Sequence, residues 1–161
     1  MASRREKAPT AGRRSLGALI VPLKLSLKPG EKFVLNGAVV QNGDRRGVLL
    51  LQNKASVLRE KDIMQEEEVT TPARHIYFPV MMMYLDEAGS ARYYDEFVLR
   101  LTEFMGVIRN PGLLADCVTI NKYAMTREYY KALMLCRKLI EYEDERLGDV
   151  ASGVSESSGA V

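Results

Sequence analysis

Lys24, Lys28, Lys32, Arg45, Arg46 and Lys54 are the residues of this chain whose type and spacing fit a chemistry, the neutralisation of nucleic-acid phosphates. They stand within residues 21–65, where eight basic residues face four acidic ones for a net charge of +4. Residues 66–161 hold ten basic against sixteen acidic residues, a net −6. Each phosphate neutralised by Lys or Arg releases a condensed counterion, so a lobe charged in this way is drawn to a polyanion. The same lysines also suit an ordinary solvated strand face, because charge on a sheet edge discourages aggregation. Asn36, Gln41, Asn42, Gln52 and Asn53 lie among them and offer amides to base edges. Phe33 is the only aromatic between Pro22 and Met64 and is expected to face the core, which disfavours a platform of stacked bases.

Catalytic and metal chemistry have little to work with. The single histidine, His75, falls in the first turns of a predicted helix, where a solvated or capping role is expected. Cys117 and Cys136 stand 19 positions apart in separate helical patterns, a spacing that fits no zinc motif. Both are expected to be small core residues. The glycines serve turns rather than a phosphate-cradling loop. Acidic groups such as Asp86-Glu87 and Glu143-Asp144-Glu145 fall in loops or on exposed helix faces. The chain is therefore expected not to be an enzyme, and to use neither cofactor nor metal.

The basic group has to be carried by strands. Leu23, Leu25 and Leu27 alternate with Lys24, Ser26 and Lys28, so one face of an extended segment is apolar and the other positive. Pro29-Gly30 punctuates it, Phe33-Val34-Leu35 resumes the apolar run, and Asn36-Gly37 suits a type I′ hairpin, whose central residues both need positive φ. Val39-Val40, Val48 to Leu51 beyond Gly43-Asp44, and Ser56 to Leu58 extend this into a meander of short antiparallel strands. Glu66-Glu67-Glu68 marks a connection.

From Thr71 the apolar spacing changes to three and four. Thr71 is placed to cap a helix with Pro72 at its first position, and Ala73, Ile76, Tyr77, Val80, Met81 and Tyr84 make its stripe. Pro79 should bend or interrupt it. Ser90 is expected to cap a second helix, about Arg92 to Arg109, that buries Phe97, Leu101, Phe104 and Ile108. Asn110-Pro111 opens a third bearing Leu114, Cys117 and Val118. Thr126 is expected to cap the fourth, Arg127 to Leu147, which carries Tyr129, Tyr130, Leu133, Cys136, Leu139 and Ile140, with Gly148 as its stop. The fold class is α+β: a small N-terminal antiparallel sheet of hairpins followed by a bundle of about four helices.

At 161 residues the chain can bury one core. Its longest apolar runs, Val48 to Leu51 and Val80 to Leu85, fall far short of the roughly 18 residues of a membrane span. Two cysteines without a disulfide framework fit a reducing cytosol.

Four strings taken together carry a family likeness: PLKLSLKPGEKFVLNGAVV (Pro22 to Val40), GVLLLQNKASVLREKDIM (Gly47 to Met64), TPARHIYF (Thr71 to Phe78) and YYDEF (Tyr93 to Phe97). From about Pro22 to Leu147 the chain resembles the FlbT family of bacterial flagellum biosynthesis repressors. The resemblance implies a cytoplasmic, post-transcriptional regulator that associates with the 5′ untranslated region of flagellin mRNA and promotes its decay. Its expected partner is that leader, with no membrane and no DNA. The resemblance assigns no individual binding residue, so the six basic positions rest on charge and expected exposure alone. The alternative class is an adaptor that holds flagellin or a flagellar regulatory protein. Met81-Met82-Met83, with Tyr84, Tyr93 and Tyr94, would supply its adaptable surface. Three consecutive methionines on a helix cannot all face away from the core, which weighs against that surface.

Residues 1–20 hold five basic residues against Glu6 and read as a disordered basic tail. Family members resembling this chain begin near Val21, so the tail is expected to lie upstream of the true start, and its charge is kept out of the nucleic-acid reading. The domain spans 21–147, strand-rich over 21–65 and helical over 71–147. The Ser-, Gly- and Ala-rich residues 148–161 show no periodicity and are expected to be disordered.

Overall fold

The computed structural model describes residues 22–156, so the expectations for residues 1–20 and for the start of translation lie outside the described residues. Asn36 and Gly37 hold φ values of 48° and 81°, as a type I′ turn requires. Two arms meet at this turn. The first runs through β1 (Leu23–Leu27) and β2 (Lys32–Leu35), the second through β3 (Ala38–Gln41) and β4 (Gly47–Leu51). β2 pairs with β3 and β1 with β4, both antiparallel, which makes one long bent hairpin. The expected meander of sequential partners is corrected here: β1 and β2 are consecutive parts of one arm, and Gly30, at φ 68°, redirects that arm without reversing it. The bend has a countable cause. Lys32 to Leu27 takes five steps on one arm while Gln41 to Gly47 takes six on the other, and the surplus residue is a bulge.

A fifth strand, β5 (Val57–Arg59), pairs with the remaining edge of β2, so a three-stranded sheet of order β3-β2-β5 stands beside the two-stranded ribbon of β1 and β4. Two short 3-10 turns, Glu60–Asp62 and Glu66–Glu68, lead into α1 (Pro72–Leu85), α2 (Ser90–Val107), α3 (Pro111–Met125) and α4 (Tyr129–Glu156). The α+β class and the order of sheet before helices are as expected. Among the described residues no helix is long and apolar enough to cross a membrane.

The core is helical. Ile76, Val80 and Met83 of α1 meet Phe97 and Leu101 of α2, Cys117 and Ile120 of α3, and Leu133, Cys136 and Leu139 of α4, while Val34 and Leu58 bring in the three-stranded sheet. No residue of β1 or β4 belongs to this cluster. The hairpin tip rests on the end of α1, where a β-carbon at Gly37 would stand 3.6 Å from the Leu85 carbonyl oxygen.

Several helix details differ from the sequence expectation. α1 continues through the buried Pro79. Ser90 begins α2 and Gly89 caps it, with the Gly89 N–H donating to Asp86 Oδ1 at 3.0 Å. The inward residues of α3 are Leu113, Cys117, Ile120 and Ala124, and Val118 is 60% exposed; Asn110 Oδ1 accepts from the Gly112 and Leu113 N–H groups and sets that first turn. Thr126 closes α3, donating from Oγ1 to the Lys122 carbonyl, and Arg127 at φ 58° breaks the chain before α4 starts. Tyr130 lies against Tyr84, ring centroids 5.8 Å apart, and is largely exposed. Gly148 does not stop α4, which extends to Glu156, so residues 148–156 are helical rather than disordered. A glycine terminates a helix by adopting positive φ, which Gly148 does not, and inside a helix it costs only about 1 kcal/mol relative to Ala.

Candidate functional site

The bent hairpin carries all six sequence-predicted basic residues, and all six are exposed. Lys24 lies on β1, Lys28 and Lys32 flank the bend on the first arm, Arg45 and Arg46 occupy the bulge of the second, and Lys54 follows β4. One asparagine gathers the central group. Asn42 donates from Nδ2 to the carbonyl oxygens of Lys28 and Arg45, 2.8 Å each, while the Gly30 N–H donates to the Gly43 carbonyl at 2.9 Å. Lys28, Arg45 and Arg46 are thereby held on one short stretch of double backbone. Lys32 starts the next strand beyond the turn, Lys24 lies about 13 Å from Lys28 at 3.3 Å per residue, and Lys54 follows the end of β4.

Charge at the bend is arranged so that the cations stay free. Glu31 is taken by Arg59, whose Nε donates to Glu31 Oε1 at 2.9 Å and whose Nη2 donates to the Ser26 carbonyl. The Lys28 backbone N–H, and then the Arg59 guanidinium, hold the Glu31 carboxyl below its ordinary value of 4.5 against the opposing cost of desolvation. Its ion pair is thus made with Arg59, while Lys28 acts on it only through the backbone N–H and a weaker attraction at longer range. Among the described residues none of the six candidates makes an ion pair, whereas Arg74, Arg100, Lys131, Arg137 and Lys138 of the helical half all do.

The strand face is less purely basic than its alternation suggests. Lys24 stands opposite Leu50 and Ser26 opposite Val48, so two exposed apolar side chains share the face. The amides expected to read bases are partly used internally. Asn36 Oδ1 accepts from the Ser56 N–H, Gln41 Nε2 donates to the Gly30 carbonyl, and Asn42 is committed to the bend. Gln52 and Asn53 remain exposed. Phe33 is buried as expected. The methionine and tyrosine surface is not formed: Met81 and Met83 are buried, and Tyr84 donates its hydroxyl to the Val57 carbonyl at 3.0 Å.

His75 takes a local role, with Nδ1 2.9 Å from the Thr71 carbonyl oxygen, a contact that places the proton on Nδ1. Cys117 and Cys136 are free thiols in the core. Burial pushes the Cys117 thiol up to about 11 and the Cys136 thiol up as well, so neither is a reactive thiolate at neutral pH. Among the described residues no cluster of His, Cys, Asp or Glu is suited to a metal.

One polar device escaped sequence reasoning. Asp62 is buried and ion-paired with Arg137 of α4, and Tyr77 donates its hydroxyl to the Asp62 carbonyl at 2.6 Å. Beside it, Arg74 grips both carboxylate oxygens of Asp144, at 2.9 and 3.0 Å. These contacts tie the end of the sheet region to α1 and α4 and line a cleft of about 240 Å³. Its arginines are already engaged, which makes it a structural joint. No local pattern announces a pair separated by the whole of α1, α2 and α3. Arg137→Ala strands a buried carboxylate, and because the cleft admits water the expected loss is about 2 kcal/mol, below the full range for breaking a buried pair. Lys138→Ala, at a 60% exposed ammonium, is expected to change stability by less than about 0.5 kcal/mol. Urea denaturation of both variants measures the contrast.

The FlbT family model, described as "Flagellar protein FlbT", matches residues 23–147. The chain is 78% identical over 140 residues to the "Flagellum biosynthesis repressor protein FlbT" of Caulobacter vibrioides, covering 87% of this chain and 99% of the relative. It is 79% identical over 131 residues to an FlbT protein of Caulobacter sp. (strain K31), covering 81% of this chain and all of the relative. A more distant FlbT protein, from Rhodopseudomonas palustris, is 35% identical over 127 residues, covering 79% of this chain and 98% of the relative. No solved structure matches. With a family match across both the bent hairpin and the four helices, and relatives matched over nearly their full length, this chain belongs to the FlbT family of flagellar proteins.

Proposed function

We propose that this protein is a cytoplasmic, non-enzymatic repressor of flagellum biosynthesis that binds the 5′ untranslated region of flagellin mRNA and promotes its decay. The repressor role is taken from the printed name of the 78% identical relative. The observation that carries the RNA reading is a contrast in charge pairing: among the described residues none of the six exposed cations on the hairpin makes an ion pair, while Arg74, Arg100, Lys131, Arg137 and Lys138, half of the cations of the helical body, are matched to carboxylates. Unpaired Lys and Arg can exchange condensed counterions for phosphates at no loss of an internal ion pair. With Phe33 buried, the hairpin offers phosphate contacts and the amides of Gln52 and Asn53, and no stacking surface. In this reading decay follows when the bound leader is opened to a nuclease.

The adaptor reading has a surface of its own. Pro72, Phe104, Val107, Ile108 and Leu147 line an apolar groove of about 280 Å³ at one end of the helices, with Val107 72% exposed. A salt titration of leader-RNA binding separates the two readings. Six phosphate contacts predict a slope of log K against log salt of about −4, at roughly −0.7 per contact on single strands. Failure to bind the leader at low salt overturns the RNA reading and favours the groove and a protein partner.

A further inference from the structure

Eight side-chain amides occur in this chain, and six of them are used to hold it together. Asn36, Gln41 and Asn42 brace the hairpin, Gln65 closes a capping box with Glu68, Asn110 caps α3, and Asn121 donates to Met125 Sδ. Gln52 and Asn53 are the exception. Among the described residues neither side chain makes a hydrogen bond, and both are exposed. Their place along the chain is as particular as their freedom. They follow β4 directly, the chain bends at Asn53, and Lys54 comes next. Leu50, two residues before Gln52, stands opposite Lys24 and is 53% exposed on the same face. In succession along β4 and beyond it come an apolar side chain flanked by a cation, two uncommitted amides and a second cation.

We propose that Gln52 and Asn53 are the base-reading residues of the hairpin, selecting adenine in single-stranded RNA whose phosphates Lys24 and Lys54 hold. This assignment rests on the RNA reading above and adds to it the source of a sequence preference. Phosphate contacts place a strand without reading it, so sequence has to be read at base edges. A side-chain amide carries a donor and an acceptor side by side. Adenine matches that pattern twice, on its Watson–Crick edge and with N6–H beside N7 on its Hoogsteen edge. On the latter edge guanine has two acceptors, N7 and O6, and the pyrimidines have no such pair. An amide already bonded inside the protein would have to give up that bond before taking a base, which sets the six others aside. Gln52 and Asn53 exchange only water for the base. Leu50 lets a base face leave water where the hairpin offers no aromatic ring.

Fluorescence anisotropy at low salt with the full chain and single-stranded oligo(rA) or oligo(rC) of equal length, about twelve nucleotides, tests the assignment. Equal length means equal phosphate charge, so the ratio of the two affinities reports the bases and not the backbone. The parent is expected to bind oligo(rA) about fivefold or more tightly than oligo(rC), the discrimination that one well-placed amide supplies. Gln52→Ala/Asn53→Ala is expected to bring the ratio close to one. Gln52→Asn/Asn53→Gln, which keeps both amides, is expected to retain most of the preference. Asn121→Ala, which removes an amide on α3, should leave the ratio of the parent in place. A parent that binds neither oligomer overturns the RNA reading and this assignment with it. A parent that binds both oligomers equally, or an Ala variant that keeps the parent's preference, overturns the assignment alone and leaves the phosphate contacts standing.

Discussion

Changing Lys24, Lys28, Arg45 and Arg46 together to Glu is expected to weaken binding of a flagellin leader RNA by at least two orders of magnitude at low salt. The slope of log K against log salt should flatten by about 3, since four phosphate contacts at roughly −0.7 each are removed. The fold should persist, because all four side chains are exposed and none makes an ion pair among the described residues. The bend itself is held by Asn42 and by the Arg59–Glu31 pair, which the variant leaves in place. A suitable control is Val118→Thr on the opposite half of the molecule, which should alter neither affinity nor slope. Met83 would be a poor control because it is fully buried. Filter binding or anisotropy at several salt concentrations, with a thermal melt of each protein, decides the matter. Unchanged affinity and slope in the charge-reversed protein would reduce this surface to a solvated face and leave the apolar groove as the better site.

Phe97→Ala should destabilise the protein by about 3 to 5 kcal/mol, and Leu133→Ala by about 2 to 5, through lost transfer free energy and the cavity left behind. Both side chains are fully buried in the helical cluster, and Phe97 also lies 6.1 Å from the Tyr94 ring, centroid to centroid. A truncation at the ribbon should behave differently. Leu23 is 51% exposed and outside the cluster, so Leu23→Ala is expected to cost less than about 1 kcal/mol. Equal effects at Phe97 and Leu23 in urea denaturation would mean that the ribbon is as much a part of the core as the helices are.

Local chemistry was legible without the fold. Asn36-Gly37 announces its turn because few dipeptides tolerate positive φ twice in succession, and the structure has it. The stripe Phe97, Leu101 and Phe104 announces a buried helix face through its period, and Asn110-Pro111 announces a helix start through its cap. The family likeness over Pro22 to Leu147 was also present in the residue strings, and the match over 23–147 bears it out. Lys24 and Lys28 were identifiable as surface charge because alternation with leucine leaves them no other place, and the other four basic candidates by their charge.

Partnership across distance was not legible. The pairing of β1 with β4 follows from a hairpin whose turn lies beyond the nearer strands, and alternation of Leu and Lys is the same whichever strand sits alongside. The inward face of α3 turned by one residue, from Leu114 to Leu113, because both choices satisfy a helical period and only the neighbouring helices select one. Gly148 could stop a helix or sit within it, and it does the latter because a helix ends where the backbone turns left-handed rather than where a glycine occurs. Asn42 at the bend, Arg59 on Glu31 and Arg137 on buried Asp62 belong to the same class. A polar side chain far along the chain gains its partner only when folding brings the two together and removes the water between them. The sequence by itself settled turns, periods and surface charge, which depend on a residue and its near neighbours; the tertiary structure decided pairing, burial and which charges stay free, which depend on groups the chain brings together from afar.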